Sequence, residues 1–278
     1  MRGAIIGDVA GSPYEGWAEG PAGDFPLFCP QTRFTDDSVC TAAVADAILD
    51  NRDFGEALRD WAARYPDAGY GEMFALWARG HIKEPYGSFG NGAPMRVSPC
   101  AWLAPSEERS LYLAARSCAP THNHPDSVAA ACAVVSAIWA GRRGAEKSVL
   151  RRIATETLGQ LPPELKEFKQ GVGRSIEAIP TVLRAMSAAL AAADFEDAIR
   201  IAIRGGGDTD TIAAIAGSIA EAFFPIPEAL WVQAHELLPE DIRAVVSRAE
   251  RSHGTSKQVL SHPAAFERCL QPGAYQTP

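Results

Sequence analysis

An all-α fold is predicted by three features of the 278-residue chain. Alanine dominates its apolar residues, strand-type alternation of β-branched and aromatic residues is scarce, and apolar residues recur at helical spacing in one segment after another. Residues 37–49 (DSVCTAAVADAIL) carry that spacing behind a run of capping residues. Residues 111–118 repeat it, as do 127–140 and 182–193. Residues 210–224 follow a glycine run, and 228–238 follow Pro225-Ile226-Pro227. Small side chains on these helices let their axes approach closely, as in a compact bundle. Proline and glycine punctuate the gaps at 11–13, 21–30, 80–94, 120–125, 162–163 and 225–227. There is no fixed-period repeat and no long polar linker. One compact helical domain over residues 1–278 is therefore expected, with a less regular tail from about residue 254.

Composition excludes several classes. The net charge of −8 argues against a protein that wraps bare nucleic acid, whose phosphates need a basic footprint. The most apolar stretch, residues 128–141, is shorter than the ~18 residues of a membrane span. Only Arg2 precedes the first apolar patch, and Asp8 interrupts it, so the start does not read as a signal peptide. The six cysteines include no CxxC pair, and Cys40 and Cys132 sit in alanine-rich stretches. They read as reduced, partly buried thiols of a cytoplasmic protein rather than a zinc site.

The chemistry sits at loop-to-helix junctions. In Gly7-Asp8-Val9-Ala10-Gly11-Ser12-Pro13-Tyr14-Glu15-Gly16 a helix can hardly continue past Pro13, and Glu15 lies just beyond it. Taken alone, this is a turn with a solvated glutamate. Thr35-Asp36-Asp37-Ser38 offers more oxygen ligands than a helix cap needs. Gly205-Gly206-Gly207-Asp208-Thr209-Asp210-Thr211 frees the backbone ahead of an apolar helix. In an extended lead-in, residues two apart point to the same side, so the chain is expected to stay non-helical to about Asp210 if both carboxylates converge. Carboxylates with threonine hydroxyls suit a hard cation such as Mg²⁺ or Mn²⁺. If the two junctions meet, four aspartates share one pocket, and two divalent cations would offset their charge.

Two further segments carry polar groups. In Tyr86-Gly87-Ser88-Phe89-Gly90-Asn91-Gly92-Ala93-Pro94-Met95-Arg96, three glycines let backbone N–H groups turn inward toward a phosphate, and Phe89 offers a face for a base. An Asn-Gly turn is the plainer reading. Thr121-His122-Asn123-His124-Pro125 precedes a helix, and its histidines suit a metal, a phosphate or a ribose.

Together the segments GDVAGSPYEG, TDDS, GSFGNGAPMR, THNHP and GGGDTDT resemble, in order, the motifs of the ADP-ribosylglycohydrolase family. The resemblance implies an all-α fold with two Mg²⁺ or Mn²⁺ ions in a cleft. It implies metal ligation by Thr35, Asp36 and Asp37 and by Asp208, Asp210 and Thr211, with Asp210 the bridge. Glu15 resembles a mobile glutamate beside the scissile bond, and either Glu15 or Asp36 would act as base. Ser88, Phe89, Gly90, Asn91 and Gly92 resemble the loop that holds the diphosphate and distal ribose, and His122 resembles a histidine on the phosphate side. Phe89 stands where relatives often carry tyrosine. The implied substrate is an ADP-ribosylated protein or a small ADP-ribose conjugate, an arginine or other guanidine before serine. Two other readings share these residues: a dinuclear phosphohydrolase cutting the diphosphate, and a non-catalytic ADP-ribose reader.

Overall fold

The computed structural model describes residues 1–167 and 175–255. Cys269 and most of the expected tail lie outside the described residues. The architecture is all-α. The helices are α1 (Arg2–Gly11), α2 (Asp36–Leu49), α3 (Phe54–Arg64), α4 (Glu72–Ala78), α5 (Ser98–Leu103), α6 (Glu107–Cys118), α7 (Pro125–Arg142), α8 (Val149–Leu158), α9 (Ala178–Ala191), α10 (Phe195–Arg204), α11 (Thr209–Phe223), α12 (Glu228–Glu236) and α13 (Glu240–Thr255). Short 3₁₀ turns at Ser12–Tyr14 and Leu165–Glu167 join them. The six helices read from periodicity are all present, with ends moved by a few residues. No helix among the described residues is long and apolar enough to cross a membrane. Among the described residues Cys29, Cys40, Cys100, Cys118 and Cys132 form no disulfide, and all but Cys29 are buried.

The first motif departs from the expected loop. Its first half is the end of α1, a helix buried from Gly3 to Gly11. Apolar contact on every side leaves no polar face, so the sequence shows no amphipathic period there. Three glycines spaced by four place a smooth ridge of α1 against α11. A Cβ on Gly3 would lie 2.1 Å from the Gly217 carbonyl oxygen, one on Gly7 2.0 Å from that of Ala213, and one on Gly11 2.4 Å from that of Thr209. The obstacle is backbone, so it cannot step aside as a side chain would. Gly7→Ala is therefore expected to cost at least about 3 kcal/mol, the upper range for overpacking, read as a fall in the thermal midpoint. A loss below about 1 kcal/mol would refute this account of the α1–α11 contact.

This contact positions the site. α1 lies between α2 and α11, and α11 in turn packs on α7, α9 and α10. Thr209 Oγ1 donates to the Gly11 carbonyl at 2.9 Å, which ties the start of α11 to the end of α1. The N-termini of α2 and α11 thus arrive at one end of the molecule, beside the turn that leaves α1. Helix N-termini carry unpaired N–H groups and the positive ends of their dipoles, a setting that favours carboxylates.

Candidate metal centre and substrate cleft

Asp8 organises one corner. Its side chain is fully buried. Oδ2 accepts from the backbone N–H groups of Thr35 and Ser38, both at 3.0 Å, and from the Ser38 hydroxyl. Oδ1 accepts from the Thr35 hydroxyl at 2.6 Å. Burial pushes the Asp8 pKa up, and these four donors pull against that rise. Thr35 Oγ1 also caps α2 by accepting from the Asp37 N–H at 3.3 Å. Thr35, expected as a metal ligand, is therefore already engaged with Asp8 and the cap. Asp8 itself was missed as a functional residue. Its signal was an acid inside an otherwise apolar helix.

The second corner is built by a chain reversal. Gly206 and Gly207 adopt φ of 65° and 84°, so two of the three glycines occupy a region that L side chains rarely enter. Arg184 Nη2 donates to the carbonyls of Gly205 and Gly206. Gly16 N–H reaches the Gly207 carbonyl at 2.8 Å, and Gly207 N–H returns to the Trp17 carbonyl at 2.8 Å. This two-way pairing sets Glu15 beside Asp208. Here the structure corrects the expectation of an extended lead-in to Asp210. The helix begins at Thr209, and Asp208 at its N-cap has φ −83° and ψ 70°. One non-helical residue is enough to swing Asp208 toward Asp210.

The two corners meet. Thr211 Oγ1 donates to Asp37 Oδ2 at 3.1 Å across the gap between α11 and α2. Carboxylate oxygens of Glu15, Asp208 and Asp210 lie within 4.8 Å of one another. Asp37 Oδ1 is buried with no hydrogen-bond partner. Burial, then the charges of Asp8 and Asp208, push the Asp36 pKa up to about 8. Burial and neighbouring aspartates raise Asp37 and Asp210 well above the usual carboxylate range. Glu15 is 48% exposed at the mouth, with Arg33 Nη2 3.9 Å from Oε2. Burial and Asp208 raise its pKa, and Arg33 opposes them. Arg33 meets this set only at the exposed Glu15, and the ligand atoms that the carboxylates offer are oxygens. The orphaned Asp37 oxygen and the crowded carboxylates fit hard divalent cations.

A cleft of roughly 490 Å³ runs from these carboxylates past Ser88, Gly90, Asn91, Gly92 and His122. The structure joins the two loop motifs there. Ser88 N–H donates to the Thr121 carbonyl, Gly87 N–H to Asn123 Oδ1, and Ser127 Oγ to the carbonyls of Ser88 and Gly90. Asn91 N–H donates to Ile176 O, and Gly90 N–H to Ser88 Oγ. The expected phosphate cradle is thus largely an internal scaffold, because these amides already have protein acceptors. Asn91 Nδ2 donates to Asp208 Oδ2 at 2.6 Å, so its amide orients a carboxylate. Phe89 is 53% exposed on the outer rim, edge-on to His124, and does not line the cleft. His122 is 6% exposed with its ring in the cleft wall. A hollow of about 550 Å³ beside α8 and α9 gathers only two carboxyl-bearing residues, Glu146 and Glu164, both far less buried.

Known proteins align with this arrangement. Residues 1–258 match the family model described as ADP-ribosylglycohydrolase. The ADP-ribosylhydrolase ARH3 of Danio rerio is 26% identical over 309 residues, covering 81% of this chain and 83% of that protein. The ADP-ribosylarginine hydrolase Tri1 of Pseudomonas putida is 25% identical over 269 residues, covering 84% of this chain and 72% of that protein. A solved structure titled ADP-ribosylglycohydrolase-related protein complex shares the fold, with a TM-score of 0.70, 24% identity and coverage of 91% of this chain and 95% of that one. With the family model spanning all the described residues and the acidic corners closing on one cleft, the chain belongs to the ADP-ribosylglycohydrolase family, hydrolases of ADP-ribosyl linkages.

Proposed function

We propose that the protein hydrolyses the glycosidic bond between ADP-ribose and a guanidine nitrogen, using two divalent cations, Mg²⁺ or Mn²⁺. The observation that carries this reading is the meeting of the α2 and α11 starts at the Asp37–Thr211 hydrogen bond, with Glu15 alongside. Asp36, Asp37, Asp208, Asp210 and Thr211 would hold the cations, with Thr35 the remaining candidate ligand. Bound there, the cations would offset the carboxylate charge and supply Lewis acidity toward ribose hydroxyls. Neighbouring carboxylates stabilise the positive charge of an oxocarbenium-like transition state. Glu15, half exposed and raised by burial and by Asp208, is placed to take a proton from the attacking water, with Asp36 as the second candidate base. Ser88, Gly92 and His122 form the wall that meets the diphosphate side.

The cleft mouth supports a cationic acceptor. Glu15 and Glu72 line it, with half-exposed Met73 between acidic and apolar surface. A guanidinium brings positive charge to that rim, and a serine hydroxyl brings none. The name of Tri1 points the same way. The absence of a disulfide among the described cysteines suits a reducing, cytoplasmic setting. The test is product analysis with arginine-linked and serine-linked ADP-ribosyl peptides in Mg²⁺ or Mn²⁺. Intact ADP-ribose released faster from arginine supports the proposal. AMP as the product would replace it with diphosphate cleavage, and tight ADP-ribose binding without turnover would make the protein a reader.

Cation binding has a thermal signature. In the cation-free protein Asp36 titrates near 8, against about 3.8 when exposed in the unfolded chain. The folded state therefore holds an extra proton between those values, and stability falls as pH rises through that window. Divalent cations reverse the deficit by replacing the proton. Added Mg²⁺ or Mn²⁺ is expected to raise the thermal midpoint by several degrees at pH 8 and by much less at pH 5. Equal midpoints at pH 8 with and without saturating cation would sink the metal reading.

A further inference from the structure

Beneath the cleft floor lies a cation that the function above does not use. Arg96, at the start of the turn into α5, is fully buried and lines the cleft from below. Its Nη2 donates to the Ser117 carbonyl at 2.9 Å and to Thr121 Oγ1 at 2.9 Å. Thr121 Oγ1 in turn lies 2.7 Å from His122 Nδ1. The other ring nitrogen faces the Gly90–Gly92 turn. A Cβ on Gly92 would come within 2.7 Å of Nε2, and one on Gly90 within 3.8 Å. Glycine at 92 therefore leaves room along the ring edge that carries Nε2 and Cε1.

Two arguments place the ring proton. The first is hydrogen-bond capacity. Thr121 Oγ1 accepts from Arg96 on one side, and its own hydrogen can point at Nδ1, 2.7 Å away on the other, which makes that nitrogen the acceptor. The second is electrostatic. Burial and the Arg96 charge hold the His122 pKa well below its usual value, so the imidazole is neutral. The negative end of a neutral imidazole is its unprotonated nitrogen. Turning that nitrogen toward the guanidinium is favourable, and turning an N–H toward it is not.

We propose that Arg96, acting through Thr121, keeps the His122 proton on Nε2, so that the ring presents an N–H donor to an anionic oxygen lodged beside Gly90 and Gly92. Arg96 is thus a positioning residue. The proton placement is a property of the ligand-free protein, and only the identity of the anionic oxygen rests on the ADP-ribose reading above.

Long-range ¹H–¹⁵N NMR of protein labelled at histidine tests it, with His122→Asn identifying the signal. The expected spectrum shows His122 with an unprotonated Nδ1 and a protonated Nε2 at neutral pH. Thr121→Val keeps the shape but removes the hydroxyl, and is expected to give a tautomer mixture and at least tenfold weaker ADP-ribose binding. Thr121→Ser is expected to restore both. A protonated Nδ1 in the wild-type protein overturns the proposal even if the valine variant fails to fold. An unchanged tautomer in a folded Thr121→Val protein overturns the role of the relay. The expected tautomers with no ADP-ribose binding to any variant would uphold the proton placement and refute the substrate reading instead.

Discussion

Asp210→Asn is expected to lower turnover on the order of 10³-fold, leave the helical fold intact, and raise the thermal midpoint of the cation-free protein. The three outcomes follow from one arrangement. Asp210 is buried, and its carboxylate sits within 4.8 Å of oxygens from Glu15 and Asp208. Asparagine keeps the shape and leaves an oxygen for the Thr211 N–H, which Asp210 Oδ1 now accepts at 2.9 Å. It removes the charge that a pair of cations would share. Without cations that charge is a burden, so its loss stabilises the fold, as substitutions at strained functional sites often do. Asp46 is the internal contrast. It too is buried, but Arg52, Arg248 and the Trp61 indole surround it. An Asp46→Asn variant leaves those donors underpaired and is expected to lower the midpoint. Turnover by Asp210→Asn at the wild-type rate, or a fall in its cation-free midpoint, would refute the charge-crowding argument.

The acidic corners were legible because each breaks an apolar helical period at its first turn. Asp36, Asp37, Asp208 and Asp210 stand out against the alanine-rich helices they precede. Their meeting was not legible, since it depends on how closely α1 lets α11 approach, and α1 is apolar on every side. The loop at 86–96 was found as a motif, yet its internal bonding was hidden. Glycines announce freedom of the backbone, not which acceptor each N–H will find. Asn91 therefore read as a substrate contact, while in the fold its amide turns to Asp208. Phe89 read as a stacking face, while the chain turns it outward against His124. Arg96 passed as the end of a turn motif, because one arginine in an acidic protein gives no sign of being wholly buried.

Asp8→Asn is expected to destabilise the cation-loaded protein by about 1–3 kcal/mol and weaken cation binding roughly 10–100-fold. Asp8 touches no proposed substrate group. It accepts four hydrogen bonds from Thr35 and Ser38, and these fix where α2 begins and hence where Asp36 and Asp37 point. An amide has one acceptor oxygen, and its NH₂ would face donors on the other side. At least one buried donor, the Thr35 hydroxyl on Oδ1, then loses its acceptor, and the three donors on Oδ2 lose the charge they bond to. A second effect runs the other way. The Asp8 charge helps to raise Asp36 and Asp37, so removing it relieves repulsion among the carboxylates. In cation-loaded protein that repulsion is already offset, and only the lost hydrogen bonds count. In cation-free protein the relief cancels part of the loss. The drop in midpoint is therefore expected to be larger with Mn²⁺ than with chelator, whereas a purely structural buried aspartate would give equal drops. Titration of Mn²⁺ against both proteins, with midpoints read in each state, separates the two. Equal drops in both states would mean that Asp8 holds the helix start without coupling to the charges beside it.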